Sequence, residues 1–326
     1  MRQDSRIYVA GHRGLAGSAL VRRLQAKGYR NLITRTHAEL DLIDQRAARE
    51  FFQRERPQIV FLAAAKVGGI LANDTYPADF VYQNLAIQNN VLQHAGEAGV
   101  QKLLFLGTAC IYPRDCPQPI KEEYLLTGPL EPTNRAYALA KIAGIEMCWS
   151  FNRQYGTRYV CAMPNNMYGP GDNYDPLTSH VLPALIRKFH EAKIRRENAV
   201  VVWGSGTPRR EFVYSEDMAD ACIYLMELSE ERIAAAFSSQ QPPLFNIGHG
   251  KDLTIAELAQ MIKGTVESDA DIVHDRSKPD GTPRKLLDVE KLSALGWRPR
   301  ISLQEGLRLA YASYMKERVG SRLSQA

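Results

Sequence analysis

Little in these 326 residues points to a metal, a membrane or a nucleic acid. Cysteine is scarce: Cys110, Cys116, Cys148, Cys161 and Cys222 are odd in number and fit no metal-ligand spacing. They read as reduced thiols of a cytoplasmic protein, and Cys148, Cys161 and Cys222 lie among apolar neighbours as core residues do. No apolar run approaches the ~18 residues of a membrane span. The first one, residues 7–10, is too short for a signal peptide. Neither sign of charge dominates, since 41 Lys and Arg against 36 Asp and Glu leave +5, scattered along the chain. That diffuse balance argues against nucleic acid and suits a small anionic substrate. Internal repeats are absent, and only residues 320–326 read as a disordered tail.

What is present is an alternation of short apolar strands and helical periods. Residues 7–10 run straight into Gly11-His12-Arg13-Gly14-Leu15-Ala16-Gly17, followed by a helix over residues 15–27. A strand, a glycine-rich turn and a helix start let a pyrophosphate approach backbone N–H groups. The spacing is G-x-x-G-x-x-G rather than G-x-G-x-x-G, so its strand-to-helix setting is what raises it above a chance triplet. A second strand, residues 31–34, ends in Arg35-Thr36-His37, without the acidic residue that often binds a ribose diol. Arg13 and Arg35, with His37 in support, suit a 2′-phosphate, so NADPH is expected over NADH. The plainer alternative makes Arg35 a solvated surface residue.

A helix over residues 44–54 leads to a near-continuous apolar run, residues 59–65, that reads as a buried parallel strand. Residues 76–97 form a long helical pattern with apolar positions on more than one stripe, expected to meet a partner as well as the sheet. Residues 102–107 are the next strand, with Leu106 and Gly107 at its end and Thr108 and Cys110 just beyond, where ligands bind in an open α/β sheet. After a polar loop and another strand, Pro164-Asn165-Asn166-Met167 opens a loop fitted to the nicotinamide end of a dinucleotide. Further on, His180 stands at the mouth of a helix over residues 181–193. Residues 204–212 and 278–285 read as donor-rich loops. The expected architecture is α/β: a Rossmann-like doubly wound parallel sheet with a smaller C-terminal α/β substrate domain. Residues 1–165 are assigned to the sheet, with a segment at about 205–248 rejoining it, and residues 166–326 mainly to the substrate domain.

The chemistry is expected at Tyr137-Ala138-Leu139-Ala140-Lys141, in a strong helix former that starts near Pro132 and Asn134. Four residues place a phenol and an ammonium one turn apart on one face. The positive charge is expected to lower the tyrosine pKa, so that the pair passes a proton near neutral pH. On spacing alone, a surface tyrosine near a lysine fits as well. The dinucleotide-binding start and the hydroxyl of Thr108 at a strand end decide between them.

With those residues in hand, the chain resembles the extended short-chain dehydrogenase/reductases. Within them it is most similar to the epimerase/reductases that turn GDP-4-keto-6-deoxymannose into GDP-L-fucose. The likeness covers nearly the whole chain, through Gly11-His12-Arg13-Gly14, Ala65-Lys66-Val67-Gly68-Gly69, Cys110-Ile111-Tyr112-Pro113 and Ser179-His180-Val181. Its most particular stretches are Trp203-Gly204-Ser205-Gly206-Thr207-Pro208 and Lys278-Pro279-Asp280-Gly281-Thr282-Pro283-Arg284-Lys285. The resemblance implies Tyr137 as proton donor to the C4 oxygen, with Lys141 as its partner and a ribose ligand. Thr108 stands where the family carries serine, which keeps the hydrogen bond but stiffens χ1. Cys110 and His180 take the places of the epimerisation acid and base; read alone, each also fits a buried thiol or a helix cap. The implied NADP(H) set is Gly11, Arg13, Gly14, Leu15, Gly17, Arg35, His37, Leu106, Gly107, Lys141, Pro164, Asn166, Met167 and His180. Lys188, Trp203, Arg210, Asp280 and Lys285 are the implied GDP-sugar contacts; Lys188 stands where arginine is common, which weakens fork-like phosphate binding.

The implied activity is a 3,5-epimerisation followed by a 4-reduction in one pocket of a homodimer, with a related GDP-keto-sugar reductase or a non-catalytic dinucleotide sensor as the other readings. Inverting a centre beside a ketone needs a base on one face and an acid on the other. A thiol and an imidazole titrate ordinarily at ~8.5 and ~6.5 and so make a suitable pair.

Overall fold

The computed structural model describes residues 1–175, 178–234, 240–278 and 280–323. Its first half alternates: β1 (Ile7–Ala10), α1 (Leu15–Ala26), β2 (Leu32–Ile33), α2 (Gln45–Glu55), β3 (Ile59–Leu62), α3 (Ile70–Thr75), α4 (Pro77–Glu97), β4 (Lys102–Leu106), α5 (Arg135–Tyr155) and β5 (Arg158–Pro164). The second half adds β6 (Asn166–Tyr168), α6 (Val181–Arg195), β7 (Ala199–Trp203), β8 (Arg209–Tyr214), α7 (Ser215–Glu227), α8 (Glu230–Ala234), β9 (Leu244–Ile247) and β10 (Asp252–Thr254). It ends with α9 (Ile255–Val266), β11 (Asp271–Asp275), β12 (Arg284–Lys285), α10 (Glu290–Ala294) and α11 (Leu303–Leu323).

Six parallel strands form the central sheet in the order β2-β1-β3-β4-β5-β9. Its inner strands are buried on both faces, as their unbroken apolar runs require: Ile7–Ala10, Ile59–Leu62 and Leu103 to Leu106 are all buried. One face packs under α1 and α7 around Leu20, Phe61, Met218 and Phe245. The other packs under α2, α4 and α5 around Tyr8, Phe51, Phe105 and Ile145. Strand order turns back at β1, which has β2 on one side and β3 on the other. In a doubly wound sheet, that switch point opens the crevice that takes a ligand. A third core, around Phe189, Leu258 and Ile262, joins α6, α9 and α11 to the parallel pair β7–β11.

The structure changes several expected boundaries. The loop expected after β5 contains β6, which pairs with β8, and the donor-rich turn expected at residues 204–212 becomes β8 from Arg209 onward. The second expected loop ends as strand β12, paired with β8, while Pro279 lies outside the described residues. In each case tertiary pairing recruits a polar stretch into a sheet centred on β8 that periodicity does not reveal. The long helix is preceded by α3, with Tyr76 as the N-cap of α4. The expected disordered tail is helical through Leu323, as the end of α11, and residues 324–326 lie outside the described residues.

Candidate active site

The glycine turn is built for close approach of backbone to ligand. Gly11 has φ +80°, and a Cβ there would lie 2.8 Å from the Ala64 backbone at the end of β3. A Cβ on Gly17 would collide with the Gly11 carbonyl oxygen. Gly14 is the N-cap of α1, with no side chain capping it and no acidic residue in the first turn. The first N–H groups of α1 are thus left to an anion. Arg35 follows β2 with its guanidinium 5.9 Å above the Phe51 ring, donating to Glu55 Oε1 at 2.8 Å and to the Thr34 carbonyl at 2.7 Å. It is half-buried and paired, not a freely solvated arginine. The Glu39 carboxylate is held below the usual range chiefly by N–H and O–H donors of Thr36, and it senses both Arg35 and Arg13. Those two cations therefore flank one exposed region. His37 is 80% exposed and 3.7 Å from Asp41.

The reactive groups gather beyond the end of β4. Gly107 continues that strand by donating to the Ala162 carbonyl at 2.9 Å, and the Met163 side chain fills the space a Cβ would need. Thr108 Oγ1 accepts from the Cys110 N–H at 3.3 Å, capping a single 3₁₀ turn that turns Cys110 toward the cleft. Tyr137 lies in the first turn of α5, edge-on to Phe80 at 6.2 Å. Lys141 lies one turn further and is buried to 3% exposure, with Nζ donating to the Leu106 carbonyl at 2.9 Å.

The electrostatics of this pair correct the expectation that Lys141 lowers the tyrosine pKa. Burial, with Cys110 second, pushes Tyr137 well above the ordinary phenol value. Burial also pulls Lys141 down to about 8. The ammonium is turned to a backbone carbonyl and stands 5.8 Å from the Tyr137 ring centroid. Desolvation outweighs the pairwise attraction that spacing alone suggests. Tyr137 therefore keeps its proton at neutral pH, as a donor must.

Cys110 is bordered by three of the expected residues. Lys285 Nζ lies 3.8 Å from its Sγ, and both Tyr137 and Arg210 feel its charge. His180 is the N-cap of α6, makes no side-chain cap, and so is not there to satisfy the helix. Enclosure by the cleft walls, then the Lys285 ammonium, lower its pKa, although part of the ring still meets solvent.

A second group lies further out. Trp203, 60% exposed, carries the Lys188 ammonium 5.2 Å and the Lys278 ammonium 5.5 Å from its ring centroid. Beside it Asp280 accepts from Ser205 N–H at 2.9 Å and from Ser205 Oγ at 2.7 Å. Pro164 ends β5, whereas Asn166 and Met167 lie in β6, with Asn166 Nδ2 donating to the Glu211 carbonyl at 2.8 Å. Asn165 and Glu211 carry no signal of a site role in the sequence. Both are buried polar residues at the hub of these strands. Glu211 is concealed by its place in what reads as a donor-rich turn. Among the described residues, no cluster of His, Cys, Asp or Glu fits a metal ion, and no helix is long and apolar enough to cross a membrane.

Comparisons with known proteins agree with this geometry. The chain is 54% identical to the GDP-L-fucose synthase of Escherichia coli (strain K12) over 313 residues, 95% of this chain and 97% of that one. It is 53% identical to GDP-L-fucose synthase 1 of Arabidopsis thaliana over 96% of this chain and 94% of that one. A solved GDP-mannoheptose C4 reductase from Campylobacter jejuni with NADP bound superposes with a TM-score of 0.88 at 41% identity, covering 97% of this chain and 99% of that chain. Residues 7–248 match the NAD dependent epimerase/dehydratase family, and the chain belongs to that family.

Proposed function

We propose that the protein is an NADPH-dependent sugar-nucleotide epimerase/reductase that converts GDP-4-keto-6-deoxy-D-mannose to GDP-L-fucose. The observation that carries this reading is the thiol of Cys110, 3.8 Å from Lys285 Nζ and within electrostatic reach of Tyr137. A simple reductase needs the tyrosine but has no use for a thiol facing the same pocket. The names of relatives at 53–54% identity support the same substrate.

The cofactor fits the residues present: Gly11 and Gly17 leave no room for a Cβ, and the α1 N-terminus has no competing carboxylate. Its pyrophosphate belongs on that turn, its 2′-phosphate between Arg13 and Arg35 with His37 outside, and its nicotinamide end near Leu106, Gly107, Pro164, Asn166 and Met167. Bound NADPH supplies the hydride for C4. Cys110 and His180 move protons at C3 and C5 from opposite faces of the ring. Thr108 Oγ1 and the Tyr137 hydroxyl donate to the C4 oxygen while it carries the enolate charge. Tyr137 then gives that oxygen its proton in the reduction. Lys188, Trp203, Arg210, Asp280 and Lys285 hold the GDP-sugar, with Arg210 suited to the diphosphate.

We assign residues 1–165, joined by part of 205–248, to the cofactor, and residues 166–326 mainly to the GDP-sugar. The protein is further assigned as a cytoplasmic homodimer. Reduction of another GDP-4-keto sugar, such as a dideoxyhexose or heptose, is the weaker reading, since the GDP-mannoheptose C4 reductase is the more distant match at 41%. Incubation with GDP-4-keto-6-deoxymannose and NADPH decides the matter. GDP-L-fucose as product supports the proposal; a C4-reduced sugar with C3 and C5 uninverted, or no NADPH oxidation, overturns it.

A further inference from the structure

The pairing of β8 with β12 sets like charges side by side twice. Arg209 is in register with Arg284, and Arg210 with Lys285. Registered residues share a face of the sheet, and like charges there oppose pairing. The first pair is bridged: Asp252 accepts from Arg209 Nε at 3.1 Å and from Arg284 Nε at 2.5 Å, and Glu257 Oε2 lies 3.9 Å from Arg209 Nη1. The second pair has no equivalent. Among the described residues, neither Arg210 nor Lys285 forms a salt bridge. Arg210 Nη1 instead donates to the Thr282 carbonyl, and Lys285 Nζ reaches Cys110 Sγ.

Among the described residues no carboxylate bridges this pair, Asp280 acting on Arg210 only through space, and the opposite face of β8 supplies a tie between the strands. Glu211 is fully buried. Its Oε2 accepts from Leu287 N–H at 3.0 Å, two residues past Lys285, and from Asn165 Nδ2 at 2.6 Å. Its Oε1 accepts from Gly250 N–H at 2.6 Å. Asn165 Nδ2 also meets the Lys285 carbonyl at 3.3 Å, and Asn165 Oδ1 accepts from the Asn166 N–H at 3.0 Å. A buried carboxylate is costly to desolvate, and this one is offset by neutral donors from three separate segments.

Resting on the functional reading above, we propose that Glu211 is a positioning residue for the sugar-nucleotide pocket. It clamps β12 and the Asn165–Asn166 corner to β8. The Arg210 and Lys285 cations are thereby kept adjacent and free of a bridging carboxylate for an anionic substrate, with Lys285 fixed against Cys110.

The test compares Glu211→Gln with Asp252→Asn in the full-length protein. Glutamine loses one of the two acceptor oxygens that three N–H groups share. GDP affinity of the NADP-saturated protein, by calorimetry, is expected to fall about tenfold, and kcat to fall ~10–100-fold, the scale of a small misplacement in an active site. KM for NADPH should stay within about threefold. Asp252→Asn loosens the bridged pair, so Tm should drop at least as far while GDP affinity and kcat stay within about threefold. Glu211→Asp, which keeps both oxygens on a shorter arm, carries the same test if the glutamine variant folds poorly. GDP affinity and kcat within threefold of wild type in these Glu211 variants overturn the proposal. Equal functional losses in Asp252→Asn at a matched Tm shift do the same. GDP binding is measured without turnover, so a wild-type protein that binds GDP but leaves the keto sugar unreduced counts against the functional reading and leaves this comparison standing.

Discussion

Tyr137 and Cys110 divide the chemistry at the scale of single residues, and the division can be tested. Tyr137→Phe removes a donor but leaves the thiol and the imidazole. It should still exchange the C3 and C5 protons of substrate with deuterated solvent, more slowly, while NADPH oxidation falls ~10²–10⁴-fold. Cys110→Ala should nearly stop the exchange and leave slow reduction without inversion. Loss of exchange in the first together with full epimerisation in the second would falsify the assignment. Lys141 gives a second test, through stability. Its pKa falls from 10.5 unfolded to about 8 folded, because burial penalises its charge. The folded state thus binds fewer protons than the unfolded one between those values, and stability rises with pH across that window. Relative to Lys141→Met, the cofactor-free wild type should gain about 3 kcal/mol between pH 8 and 10.5. Urea unfolding of both proteins at several pH values measures this, and a flat difference refutes the buried ammonium. The Tyr-x-x-x-Lys spacing was legible in the sequence because a helix fixes which side chains share a face. The direction of the tyrosine pKa was not, since it depends on burial beside Phe80 and on Cys110, which only the fold brings near.

At the scale of elements, the turn between β1 and α1 was readable because glycine leaves a local signature, yet its three glycines are not equivalent. Gly17 is excluded from bearing a side chain by the Gly11 carbonyl, whereas a Cβ on Gly14 would sit at an ordinary 3.5 Å from the same oxygen, with φ −78°. Gly17→Ala should therefore cost about 1–3 kcal/mol of stability, as overpacking does. It should also raise the Kd for NADPH by opening the turn. Gly14→Ala should stay within about 0.5 kcal/mol of wild type. Thermal unfolding without cofactor separates the two, and equal losses would show that the turn yields freely at Gly17. The strands β6, β8 and β12 were illegible for the opposite reason. Asn166, Arg209 and Arg284 carry no apolar alternation, and their pairing comes from partners as distant as Asp252 and Glu211. The elements that bring Arg210 and Lys285 to the cleft therefore look like loops in the sequence. Buried strands follow from their unbroken apolar runs; polar strands such as β8 and β12 follow from the site they serve.

At the scale of the whole molecule, the broad apolar surface expected of the long helix takes a definite form. One side of α4 is spent on the sheet through Phe80, Val91, Leu92 and Ala95, yet Tyr82 on the same helix stays 66% exposed. Leu139 on the adjoining α5 is 41% exposed. Two neighbouring helices that both turn large apolar side chains to water present a surface that a second copy of the chain can cover, as four helices packed across a twofold axis. Such an interface needs about 1,200–2,000 Å² of buried area in total, within reach of two 21-residue helices per subunit. It also bears on catalysis. Tyr137 and Lys141 lie on the side of α5 opposite Leu139, so a partner packed there would hold the catalytic helix against the sheet. Light scattering at micromolar concentration should give twice the 36.6 kDa of one chain. Tyr82→Lys places a charge on this exposed apolar face, and it should shift the mass toward one chain while lowering kcat more than it changes the KM for NADPH. A wild-type mass of a single chain overturns the dimer. A monomeric Tyr82→Lys with full kcat keeps the dimer but removes its hold on the catalytic helix.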